Sequence, residues 1–90
     1  MNRAGYQELI AAIFKESYDD IVRSIRKAER TKERIRTAPT VKMAEDSKQR
    51  LHAIQKHIEY VENWIMDVMP GWLDIAPDTF IRWAHEEAEK

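Results

Sequence analysis

Cysteine is absent from this 90-residue chain, which excludes a disulfide framework and any thiolate metal site and is compatible with a reducing compartment. Glycine occurs only at positions 5 and 71. A Gly-rich loop that cradles phosphates therefore cannot be assembled, and no strand-turn-helix nucleophile elbow is present. Proline is confined to Pro39, Pro70 and Pro77, so long stretches lack a helix breaker. No unbroken apolar run is long enough for a membrane span, and Met1 to Gly5 lead into an interrupted apolar pattern unlike that of a signal peptide. The expectation is a cytoplasmic protein with no membrane partner.

What the chain does have is charge and helical periodicity. Charged residues make up 34% and apolar residues 43%, the balance of a helix-rich folded protein rather than a disordered one. The formal net charge is only −1, but it is unevenly spread. Residues 23–50 carry ten Lys/Arg against four acids, net +6, whereas residues 51–90 carry three against eight, net −5. The middle of the chain is basic and its ends are acidic.

From Tyr6 the apolar positions Leu9, Ile10, Ile13, Phe14, Tyr18, Ile21, Val22, Ile25 and Ala28 recur at steps of one, three or four, thinning out to Ile35. This predicts an amphipathic helix over 4–36. Pro39 removes a backbone donor and pushes Ala38 out of helical geometry, which places a turn at 37–40, with Thr37 or Thr40 available as a cap. Leu51, Ile54, Ile58, Val61, Ile65 and Val68 then form a near-strict heptad seam, extended backward by the small residues Ala44 and Ser47. Such a seam is what shallow-angle helix packing requires, and it predicts a second helix over 41–69.

Pro70-Gly71 ends that helix, a connector follows at 70–76, and Pro77 with Asp78 opens a short third helix over 77–89. The predicted fold is all-α: a single domain, 1–90, built as an antiparallel hairpin of two long helices. The third helix is expected to fold over the open end, and dimerisation could complete the core, since so short a chain buries little apolar surface alone. The basic residues should gather at the closed tip and the C-terminal acids at the open end.

Two surfaces are functional candidates. Tyr60, Trp64, Trp72, Phe80 and Trp83 concentrate large aromatic surface toward one end. They can form the core beneath the third helix or a protein-binding surface, because Trp and Tyr are enriched at interface hot spots. Arg23, Lys27, Arg30 and Arg34 fall at steps of four, three and four, a solvent-facing stripe suited to nucleic-acid phosphates. Against that stands a merely solvated face, its charges paired locally through Glu29 and Glu33 with Arg26, Lys32 or Arg36. No aromatic interleaves with the stripe in sequence, so base stacking is not indicated there.

Catalytic and metal chemistry find no anchor. His52 and His57 are five residues apart and turn to different sides of a helix, His85 stands alone, and no HExxH spacing occurs. Asp19-Asp20 and Glu86-Glu87-Glu89 read as solvated charges rather than an acid/base pair. No enzyme activity and no cofactor are expected.

Glu8-Leu9-Ile10-Ala11-Ala12-Ile13, the acidic-aromatic Tyr18-Asp19-Asp20, the basic run from Arg23 to Arg36, Pro39, and the closing Asp74-Ile75-Ala76-Pro77-Asp78-Thr79-Phe80-Ile81 together resemble short uncharacterised helical proteins of phages and prophages of Gram-positive bacteria. Those proteins usually carry a Trp-Phe pair before the final helix, where this chain has Met69-Pro70-Gly71-Trp72. The resemblance implies an origin, with the cytoplasm of a bacterial host as the expected location, rather than a mechanism. Taken with the aromatic end, the expected role is a non-enzymatic accessory protein that binds another protein, itself as a homodimer or a host or phage protein. Nucleic-acid binding through the basic tip is the alternative.

Overall fold

A computed structural model describes residues 3–71 and 74–90, with side chains from residue 12 onward. Trp72 and Leu73, and the side chains of Tyr6, Leu9 and Ile10, lie outside the described residues. The chain forms α1 (Arg3–Thr37), α2 (Val41–Val68), a 3-10 turn (Met69–Gly71) and α3 (Pro77–Ala88). The molecule is elongated, 58 × 23 × 20 Å. The all-α hairpin with a short third helix is as the periodicity predicts, and the helix boundaries agree to within a residue or two.

Each boundary has a local cause. α1 ends where Pro39 cannot donate, and its last turn is tied by the Thr37 hydroxyl, which donates to the Glu33 carbonyl at 2.9 Å. Thr40, in extended geometry, caps α2: its hydroxyl accepts from the Met43 N–H at 3.2 Å. α3 starts with Pro77 in its first turn beside Asp78, and no side chain caps it.

The core sits in the open half of the hairpin. Phe14, Ile21, Val22, Val61, Ile65, Met69, Phe80 and Ala84 are buried together. At this level of burial each large side chain contributes about 1.5–3 kcal/mol. The α2 seam is confirmed by graded burial: Val61 and Ile65 are buried, and Leu51, Ile54, Ile58 and Val68 are half-buried. Thr31, a position the apolar pattern passes over, is only 4% exposed. It is tolerated there because its hydroxyl donates to the Lys27 carbonyl at 2.8 Å.

The placement of α3 differs from expectation. It does not cap the open end but lies lengthwise along the hairpin, packed mainly on α1. Phe80 meets Phe14 and Tyr18 near the open end, while four residues beyond Trp83 the Glu87 carbonyl accepts from Arg26 at 3.0 Å. α3 therefore runs parallel to α1 and antiparallel to α2. The reason is apolar burial: Phe80, Ala84 and the half-buried Ile81 and Ala88 form a stripe along α3 that only a long groove can cover. In consequence Glu87 and Glu89 come to rest beside Arg26, Glu29 and Lys32 at mid-length, not at the open end. Beyond Ala88 the tip half of the molecule is two helices thick.

A candidate polyanion-binding groove

The hairpin has two long flanks, and α3 fills one of them. The other is an open groove that runs from Trp64 and Tyr60 to the Pro39 turn. On the α1 side it is bordered by Glu16, Asp20, Arg23, Lys27, Arg30 and Arg34, and on the α2 side by Trp64, Tyr60, Arg50, Asp46 and Met43. All four cations of the predicted stripe thus lie along one groove, and all four are exposed. Arg50, which the sequence reading did not single out, joins them from α2. Its signal was present but distributed over two helices.

Ion pairing decides how these cations behave. Glu29 pairs with Lys32 at 3.0 Å and Glu33 pairs with Arg36. The local acids that could have neutralised the stripe are therefore turned to the next face of α1. Among the described residues Arg23, Lys27, Arg30, Arg34 and Arg50 form no salt bridge, nor do Arg26 and Lys42 away from the groove, whereas Lys15, Lys32, Arg36, Lys48, Lys56, Arg82 and Lys90 all do. Five unpaired cations facing one channel repel one another and generate a positive potential along it. An anionic ligand would remove that repulsion.

The groove changes sign along its length. Toward the open half its border is acidic, with Glu16, Asp19 and Asp20. Asp19 is paired with Lys15 at 3.1 Å. Asp20 is more than a solvated charge, which corrects the sequence reading: it accepts from the Ser24 hydroxyl at 3.2 Å and from His57 Nε2–H at 2.8 Å. It thereby braces α1 against α2 at the surface of this flank, both side chains being partly solvated. His52 is exposed, and His85 Nε2–H donates to Glu62 at 2.6 Å. Among the described residues no group of three or more metal-ligating side chains is assembled.

The predicted aromatic surface is divided by the fold. Phe80 is 9% exposed and belongs to the core, where it stacks edge-on against Phe14 and Tyr18. Trp64 is half-buried, its ring 5.5 Å from that of Phe14. Tyr60 and Trp83 are exposed, at 70% and 45%, but they border different flanks. Tyr60 lines the open groove, while Trp83 sits on α3, its backbone carbonyl accepting from the Tyr18 hydroxyl. Trp72 lies outside the described residues. No aromatic interleaves with the stripe on α1, but Tyr60 on α2 lines the same depression as Arg23.

No family model, curated protein or solved structure matches the chain. Among the described residues no helix is long and apolar enough to cross a membrane.

Proposed function

We propose that the chain is a non-enzymatic nucleic-acid-binding module whose open flank takes the sugar-phosphate backbone. The observation that carries this reading is the set of five unpaired cations, Arg23, Lys27, Arg30, Arg34 and Arg50, along one groove. A merely solvated face gains by pairing its charges at i,i+3 or i,i+4, as the neighbouring faces of α1 and α2 do. On this flank the five cations stay unpaired even though Glu16, Asp20 and Asp46 border the same groove, which leaves them available to a ligand that brings its own negative charge. Binding is sequence-independent in origin, since guanidinium and ammonium groups on phosphates carry no base information.

The test is a salt titration of binding to random-sequence DNA. Four to five phosphate contacts on a single strand give a log–log slope of roughly −3 to −3.5 against salt. A variant with Arg23, Lys27, Arg30 and Arg34 all changed to alanine should lose binding. Absence of any complex at low salt would sink the reading.

A second reading, compatible with the first, keeps the chain as a protein-binding accessory factor acting as a homodimer. It is favoured by the exposure of Trp83 and Met66, 45% and 48%, large apolar side chains suited to an interface. A single monomeric species in sedimentation, with tryptophan emission unchanged on dilution, would overturn it. The phage or prophage setting rests on the resemblance carried by residues 8–13 and 74–81.

A further inference from the structure

We infer that the groove is built for a single strand rather than a duplex, with Tyr60 as a stacking platform for one unpaired base. The inference rests on the nucleic-acid reading above and adds the form of the ligand. Three observations carry it. Tyr60 is 70% exposed, a cost in exposed apolar surface for a ring that has neighbouring core to pack on, and its hydroxyl makes no hydrogen bond among the described residues. It lines the stretch of groove where the acids Glu16, Asp19 and Asp20 meet Arg23, the first cation of the stripe. Trp64, anchored on Phe14, lines the same stretch of groove as Tyr60.

This arrangement separates the two parts of a nucleotide. Phosphates are drawn to Lys27, Arg30, Arg34 and Arg50 in the tip half and repelled by Glu16 at the other end. A base has no net charge and is not repelled. Carboxylates can accept from exocyclic amino groups on a base edge, and an aromatic ring can stack on the base face whatever the base. A strand laid along the groove would thus keep its phosphates in the tip half and turn a terminal or splayed base onto Tyr60. A duplex keeps its bases stacked on one another and has no free face to offer, so it could use the cations alone.

The experiment compares a fluorescein-labelled oligodeoxythymidine with a labelled duplex by anisotropy, using the full chain and its Tyr60→Ala, Tyr60→Phe and fourfold basic-stripe variants. Tyr60→Ala should weaken single-strand binding by about 5- to 150-fold, the range of one base–aromatic stack, and leave duplex binding unchanged. Tyr60→Phe should retain wild-type affinity. Because Tyr60 is solvent-facing, its variants should keep the wild-type circular dichroism. If Tyr60→Ala binds the single strand as well as wild type while the stripe variant does not bind, the stacking inference is overturned and the basic-groove reading stands. If wild type binds neither probe at low salt, both are overturned.

Discussion

His85 on α3 and Glu62 on α2 lie 2.6 Å apart, Nε2 to Oε1, the shortest polar link between the third helix and the hairpin among the described residues. Both side chains are partly solvated, 46% and 27% exposed, so the link orients α3 more than it holds it. His85→Ala should cost under about 1 kcal/mol in urea unfolding. Phe80→Ala, which empties the contact with Phe14 and Tyr18, should cost about 3–5 kcal/mol. Equal losses would mean that α3 is held by its polar staple and not by burial.

Ile65 is fully buried toward the C-terminal end of the α2 seam, whereas Ile13 on α1 is 43% exposed. Ile65→Ala is expected to destabilise by about 2–5 kcal/mol through lost contacts and the cavity left behind. Ile13→Ala should stay within about 0.5 kcal/mol. Thermal or denaturant midpoints of the two variants check the contrast between residues that look alike in composition.

Thr40→Ala removes the side-chain acceptor from the start of α2 and should cost about 1 kcal/mol, with Thr40→Ser recovering most of it. Denaturant midpoints of the pair read this out. A loss that Ser fails to recover would point to the Thr40 methyl and not to the cap.

The basic stripe should be dispensable for folding. Arg30→Ala and Arg34→Ala break no ion pair, so each should leave stability within about 0.5 kcal/mol or raise it slightly by relieving repulsion. A marked loss of stability in either would show that these side chains are structural. In that case their effect on binding could not be assigned to the ligand.

The tip half lacks α3, and its seam residues Ile35, Leu51 and Ile54 are only half-buried. Amide hydrogen exchange should therefore be faster around residues 41–50 than around residues 58–66, where α3 completes the core. Uniform protection along α2 would contradict this, and protection gained only with rising protein concentration would point to a second copy covering the tip.

The helices were legible in the sequence because their determinants are local. Steps of three and four from Ile13 to Ala28, the seam from Leu51 to Val68, and the donor missing at Pro39 each act within a turn or two of chain. The stripe Arg23, Lys27, Arg30 and Arg34 was legible for the same reason: it is one face of one helix. The buried Thr31 was not, since its type says nothing of the carbonyl that satisfies it.

By itself, then, the sequence determined three helical segments, the turn between the long pair, the face of each that seeks burial, and a basic mid-section. Tertiary structure alone decided which flank α3 occupies, and with it everything that depends on juxtaposition. It sent Phe80 inward while leaving Trp83 exposed, joined Asp20 to His57, and placed Tyr60 and Arg50 across the groove from the α1 cations. The physical reason is that helical periodicity specifies a direction around one axis only. How two such axes are rotated against a third is settled by which apolar stripes bury the most surface together, and that sum runs over residues as far apart as Phe14 and Phe80.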